Sequence, residues 1–285
     1  MAPKKSGPEP QVLMEGIGLG ESPRWHEGRL WFSDWVAQEV IALDPDGESE
    51  VITNVRSLPF SIDWLPDGPM LITSGQKLLR MEADGSLVTQ ADLRDLSEHG
   101  WNEIVVDARG NTYVNNIEFD LMGGEDPKSG IIALVTPDGS ARQVADGIAF
   151  PNGMVVTPDN STLIIAESYA GRLSAFDIAE DGSLSNRRVW ADLGEGGDGI
   201  CLDAEGAVWS PKFKSCVRVR EGGEVLETIE LDRFCFACML GGDDGMTLFM
   251  NAADWTGTED VGKGPRTGQV LTADAPAPHA GFPNS

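Results

Sequence analysis

Glu21, Asn102, Asn152 and Asp198 each open a copy of one recurring sequence pattern, and each carries a carboxylate or carboxamide oxygen. The same register position in the two remaining copies holds Ser61 and Ala237. Residues of the first kind are poor strand formers, and carboxylates gathered without a cation repel one another. A hard divalent cation answers both objections. An all-oxygen donor set favours Ca²⁺, with Mg²⁺ or Mn²⁺ next, and zinc is less natural without His or Cys. Taken singly, Asn152–Gly153 and Asp198–Gly199 are ordinary turn dipeptides. Their shared register with Glu21 and Asn102 favours one metal site.

The elements that must position these residues are legible as repeats. The copies are ESPRWHEGRLWFSD from Glu21, SIDWLPDGPMLITS from Ser61, NEIVVDARGNTYVNN from Asn102, NGMVVTPDNSTLIIAES from Asn152, DGICLDAEGAVWSP from Asp198 and ACMLGGDDGMTLFMNAAD from Ala237. Their spacings are 40, 41, 50, 46 and 39 residues. Each is two apolar runs around a tight turn, the signature of a β-hairpin. Weaker hairpins such as EVIALDPDGESEVI and ALVTPDGSARQVA lie between them. Two hairpins per unit and six units predict an all-β, six-bladed β-propeller with four-stranded blades around a central channel. One domain is expected over 11–285, after a flexible arm over 1–10. The strand around GQVLTAD is expected to close the ring within the last blade or against the N-terminal strand. In such a fold the innermost strands line the channel, so equivalent positions of different blades sit at similar height around its axis.

At these residues the sequence resembles the senescence marker protein / gluconolactonase family, which includes regucalcin. The motifs that carry the likeness are GESPRWHEGRLWFSD, FPNGMVVTPDNSTLIIAES, GDGICLDAEGAVW and CFACMLGGDDGMTLFM. The resemblance implies a six-bladed propeller acting as a metal-dependent lactonase. It implies metal ligands at Glu21, Asn152 and Asp198, and a substrate contact at Asn102. Family members that take sugar lactones usually carry Arg two residues before that Asn and Asp after it, where this chain has Gly100 and Glu103. A bidentate donor for hydroxyl-rich substrates is missing. Phe60, Trp101, Phe150 and Phe236 stand beside the register positions instead, and Glu118 or His99 is a candidate replacement for the arginine. The expectation is a hydrolase of lactones or related cyclic esters less polar than aldonolactones, with Asp198 as proton acceptor. The alternatives are a non-catalytic calcium- or ligand-binding propeller, a phosphotriesterase, or a non-hydrolytic enzyme on the same site.

Other chemistries find less support. His26 falls in a turn and His279 in a tail read as loose, while His99, three residues from Asn102, is kept as a possible proton relay. There is no G-x-S-x-G elbow, and GGEDPKSG at 123–130 lacks the spacing of a phosphate-binding loop. That segment is expected to be a loop between blades three and four, placed to act as a lid. Cys235 and Cys238 form a lone CxxC; in a regular strand they face opposite sides, so free buried thiols are expected. With 21 basic against 46 acidic residues the net charge is −25, which argues against nucleic acid and anionic membrane as partners and for a small-molecule substrate. No apolar run approaches the roughly 20 residues of a membrane span. The N-terminal MAPKKSGPEP lacks the apolar core of a signal peptide, so a cytoplasmic location is expected.

Overall fold

The computed structural model describes residues 9–281; positions 1–8 of the expected N-terminal arm lie outside them. Six antiparallel four-stranded sheets form six blades, and the molecule is a six-bladed β-propeller. From the channel outward, the innermost strands are Gly20–His26, Ile62–Trp64, Ile104–Val106, Pro151–Val156, Cys201–Leu202 and Phe234–Gly241. Five of the six turn back through a Gly-bearing hairpin into a second strand, while in blade 4 Asn160 at φ 55 serves the turn, and two more strands follow to the rim. Among the described residues the only helix is one turn of 3-10 helix, Thr258–Asp260.

Closure joins the two ends of the chain. Blade 6 contains Phe234–Gly241, Thr247–Ala253 and Gly268–Asp274, and its outermost strand is Gln11–Ile17. The GQVLTAD strand pairs on both sides, with Thr247–Ala253 and with the N-terminal strand. Both edges of the GQVLTAD strand are thereby covered, and the N-terminal strand becomes the rim of the blade. The segment after it is not loose either: the amides of Ala275, His279 and Ala280 donate to the carbonyls of Met246, Gly245 and Leu202. His279 is thereby fixed at the end of the channel remote from Glu21.

The apolar core lies in the faces between blades rather than on the axis. Leu30, Phe32, Leu43, Met250 and Leu248, all fully enclosed, join blades 1 and 6, and comparable clusters fill the other contacts. Phe60 and Trp101 belong to this packing and not to the channel. Both are 0% exposed, Phe60 against Val40 and Ile72, Trp101 against Leu71 and Val114. Each immediately precedes a register position, Ser61 or Asn102. Neighbouring residues of an extended chain point to opposite sides, so one faces the axis and the other the blade contact. The segment 123–130 is also relocated: it lies within blade 3, joining Thr112–Asn116 to Gly130–Val135.

The cysteines correct another expectation. Cys235 pairs with Ala252 and Ala237 with Asn251, so Phe236 is the extra residue of a β-bulge. That insertion reverses the alternation, and Cys235 and Cys238 fall on the same side of the strand. With Cys201 and Cys216 they enter one apolar cluster, all four free and buried, with the Cys201 and Cys238 Sγ atoms 3.9 Å apart.

Candidate active site

Bulges also shape the first turn of the site. In blade 1, Glu21 pairs with Ser33 but Arg24 with Trp31; in blade 4, Pro151 pairs with Glu167 but Met154 with Ile165. Each inner strand therefore carries one extra residue next to its oxygen donor, which re-aims the donor toward the axis. Ser22, inside the first bulge, sits at φ 50. The starts of successive inner strands are then stitched together. Ser22 Oγ accepts from Ile62 N at 3.0 Å, and Ser61 Oγ donates to Asn102 O at 2.7 Å. Asn102 Nδ2 donates to Pro151 O at 3.1 Å, and Gly153 N to Asp198 O at 3.2 Å. Gly199 N donates to Phe236 O at 2.9 Å.

Gly153 and Gly199 owe their identity to this stitching and not to turns. A Cβ on Gly153 would lie 2.5 Å from Asp198 O, and one on Gly199 2.5 Å from the Ala237 Cβ. Neither glycine has a positive φ. Asn-Gly and Asp-Gly thus place the polar side chain in the channel and let the next blade's backbone approach behind it.

The four oxygen donors meet in one cavity of about 500 Å³ at the mouth of the channel. Glu21, Asn102 and Asn152 are buried, while Asp198 keeps part of its surface open to the cavity. Burial raises the Glu21 carboxyl well above the usual range, and the Asp198 and Glu103 charges push it further. Asp198 is raised likewise, by burial and then by Glu103. Glu21 Oε2 is enclosed without a hydrogen-bond partner. Asn152 Nδ2 donates to Ser168 Oγ at 3.3 Å, so its amide is oriented from behind. Asn102 commits one amide hydrogen to Pro151 and keeps its other hydrogen and Oδ1 uncommitted.

Two acidic oxygens crowded together and one orphaned buried oxygen are what a divalent cation would satisfy, so these residues fit such an ion. Glu21, Asn152 and Asp198 would hold it. Among the described residues no three His, Cys, Asp or Glu side chains converge as a metal cage. The site has two carboxylates, and its remaining donors are carboxamides.

The other expected contacts separate into two groups. Phe150, Phe236 and His99 line the cavity. The two aromatics reach it because the backbone departs from regular strand at both, Phe150 at φ 60 and Phe236 in its bulge. Glu103 does not line it: its carboxylate accepts from Ser61 Oγ at 3.1 Å and shares Arg24 with Asp63, each 3.6 Å from the guanidinium. Glu118 does not line it either; at φ 64 it is flanked by Ile117 and Phe119, which do. The wall also contains residues not anticipated from the sequence, Trp35, Phe119, Leu121, Met122 and Trp255. All come from loops whose approach to the axis no local pattern announces. Gly100 lines the cavity as well, held by Asn116 Nδ2 through its carbonyl at 2.9 Å. A Cβ there would meet nothing nearer than Gly75 at 3.7 Å, so the fold does not require glycine at this position.

The SMP-30/Gluconolactonase/LRE-like region profile matches residues 19–254. The chain belongs to this family. Its relatives include a regucalcin of Xenopus laevis, 26% identical over 85% of this chain and 85% of that protein. A pentonolactonase of Haloferax volcanii is also 26% identical, over 89% of this chain and 88% of the relative. Among solved structures, a luciferin-regenerating enzyme superposes with a TM-score of 0.82 at 18% identity, covering 96% of this chain and 97% of that one. That last likeness is one of fold.

Proposed function

We propose that this family member is a metal-dependent hydrolase that opens lactones or related cyclic esters less polar than sugar lactones. The observation that carries the reading is the meeting of Glu21, Asn102, Asn152 and Asp198 in one aromatic-walled cavity, with Glu21 Oε2 left without a partner. The pentonolactonase among its relatives supports the reaction class. Glu21, Asn152 and Asp198 hold one divalent cation, Ca²⁺ by donor chemistry, with Mg²⁺, Mn²⁺ or Zn²⁺ as alternatives. When bound, such an ion supplies a positive charge that polarises an ester carbonyl and acidifies water.

The chain's own groups do the rest. Asp198 accepts a proton from the water that attacks the carbonyl carbon. Asn102 donates its uncommitted amide hydrogen to the carbonyl oxygen as negative charge develops there. The ring C–O bond then breaks, and the tethered alkoxide regains a proton to give the hydroxy acid. Phe119, Phe150, Phe236, Trp35 and Trp255 enclose an apolar body and exclude water from it.

Substrate polarity follows from that wall together with Gly100. Losing a charge-assisted contact costs a polyhydroxylated lactone roughly 1.5–3 kcal/mol. Burying an aryl substituent returns a similar amount, roughly 1.5–3 kcal/mol. Acting together in the transition state, they favour an aromatic lactone by about a hundredfold or more. The test is kcat/KM for dihydrocoumarin against gluconolactone, with chelator and with Ca²⁺ restored. A preference for the sugar lactone sinks the polarity reading; no metal-dependent turnover of either, or of a wider lactone panel, sinks the hydrolase.

A further inference from the structure

The charged residues of the cavity wall are not distributed evenly. Blade 6 supplies Phe236 and Trp255, whose rings meet edge to face at 5.4 Å, and blade 1 supplies Trp35 beside them. Blade 3 lies across the six-membered ring from blade 6. It and the segment leading to it supply Glu98, Asp120 and Glu125. Among the described residues, no Lys or Arg lines this cavity.

Asp120 and Glu125 are tied to each other, Glu98 lines the same side, and of the three only Glu125 has basic partners among the described residues. Glu125 Oε2 accepts from Asp120 N at 3.1 Å, and Glu125 N donates to Asp120 O. Lys128 reaches Glu125 at 3.4 Å from outside the cavity, and His99 Nε2 lies 3.9 Å from the same carboxylate. Glu98 and Asp120 form no ion pair among the described residues. Glu21, 96% buried with Oε2 unpartnered, is aimed into the same space from the channel floor, so this is a cavity built for a ligand and not only an acidic surface.

Aromatic rings stand on both sides of the cavity, Phe119 and Phe150 beside the acidic residues and Trp35, Phe236 and Trp255 across from them. Such a wall binds a group attracted to carboxylates and rings alike. Carboxylates attract a cation through the charge, and indole and phenyl faces attract it through their quadrupole. A carboxylate, sulfonate or phosphate on the same scaffold meets three like charges and, among the described residues, no Lys or Arg, with His99 already turned to Glu125. Gly100 sharpens this: the fold has room there for a side chain, and this chain leaves that position without a cation.

We infer that the cavity selects substrates carrying a positive charge beside an apolar body, namely lactones or cyclic esters that bear a protonated or quaternary amine. This rests on the hydrolase reading for the reaction but not for the charge preference. Glu98, Asp120 and Glu125 set the preference, and the ammonium sits between them and Trp35, Phe236 or Trp255.

Three dihydrocoumarins with a trimethylammonio, a tert-butyl or a carboxylate group at one ring position separate charge from size. With Ca²⁺ present and at low ionic strength, kcat/KM should fall in that order by about tenfold per step, the difference lying mainly in KM. Added salt should compress it. Replacing Glu98→Gln, Asp120→Asn and Glu125→Gln together should collapse the cation-to-neutral ratio, and Gly100→Arg should invert it. Benzyltrimethylammonium should quench tryptophan fluorescence at lower concentration than benzenesulfonate in the wild-type protein. Equal kcat/KM for the three esters, or preference for the carboxylate, overturns the inference and leaves the hydrolase standing. Turnover of none, with benzyltrimethylammonium still bound in preference to benzenesulfonate, sinks the hydrolase and keeps the charge selectivity. Turnover of none with no such preference overturns both.

Discussion

Glu21 and Glu167 are both glutamates inside sheets, one on the innermost strand of blade 1 and one on the second strand of blade 4, at 4% and 0% exposure. Burial works to raise both. At Glu167 it is overcome by Arg172, Ser174, the Ala149 amide and Arg187, which together bring the carboxyl down to about 2. Arg172 and Arg187 approach to 3.1 and 2.8 Å. At Glu21 the nearest charges are Asp198 and Glu103, of the same sign, and one oxygen has no partner at all. The same fold that surrounds one buried carboxylate with cations leaves the other without any. Glu167 is a structural group that ties the second strand of blade 4 to its outer strands. Glu21, with one oxygen unpartnered among the described residues, is the group that a cation from outside the chain would satisfy.

The largest effect expected from that contrast is on Asp198, which shares the uncompensated cluster. Asp198→Ala removes the proposed metal ligand and the proposed proton acceptor together. Lactone turnover should fall roughly a thousandfold or more, and elemental analysis should find the divalent ion lost. The metal-free protein should unfold at no lower a temperature than wild type, because a repulsive charge has gone. Full metal occupancy in this variant would place the ion elsewhere and break the comparison at its root.

Glu167 should behave in the opposite manner. Its carboxyl lies depressed from an ordinary value of 4.5 to about 2, so its stabilisation is complete above the ordinary value and is lost as pH falls toward about 2. The shift corresponds to about 3 kcal/mol, and Glu167→Gln should cost that order of stability in urea while sparing turnover by the folded fraction. Glu21 carries the reverse sign. Raised in the folded state, it leaves the metal-free protein most stable below the ordinary 4.5 and less so as pH climbs through the raised value. Glu21→Gln should flatten that decline in the presence of chelator, and Ca²⁺ should flatten it in the wild type. Urea midpoints across a pH series read both glutamates at once. Parallel slopes for the two variants would mean that they occupy equivalent environments after all.

What the sequence announced, and what it did not, divides along the same physical line. The six units were legible because each repeat carries its own turn chemistry, such as Pro-Asp-Gly at 66–68 or Asp-Asn at 159–160, between apolar runs. The meeting of Glu21, Asn102, Asn152 and Asp198 followed from counting, since symmetry brings equivalent residues to one height. Parity arguments failed wherever a bulge adds a residue. Cys235 and Cys238 converge because Phe236 is extra, and Phe236 reaches the cavity for that reason. Where the strand starts are regular, as at Phe60 and Trp101, the aromatic beside the register position turns into the blade contact. Trp35, Phe119 and Trp255 were invisible because loops of unrelated length bring them together only after the ring has closed.

The smallest effect expected comes from the residue that orients Asn152. Ser168 Oγ accepts from Asn152 Nδ2 at 3.3 Å and donates to Gly197 O at 2.6 Å, in the segment leading to Asp198. With its amide nitrogen shared between the serine and the Asp198 carboxylate, Asn152 can offer Oδ1 to a cation without rearranging. Ser168→Ala leaves the charge of the site unchanged and removes that orientation together with the bond to Gly197 O, so the contrast between Glu21 and Glu167 is not disturbed. The amide then gains rotational freedom, and part of it must be given up when the ion binds. Losses from such supporting contacts run from about tenfold upward in metal affinity. A weakening of about tenfold is expected here, because Gly153 still holds the backbone against Asp198 at 3.2 Å. Titration calorimetry with Ca²⁺ measures it directly, while kcat at saturating Ca²⁺ should stay within about twofold of wild type, since the filled site has the same donors. Unchanged affinity would show that Asn152 does not present Oδ1 to the ion, leaving Glu21 and Asp198 to hold it with a donor from elsewhere in the ring.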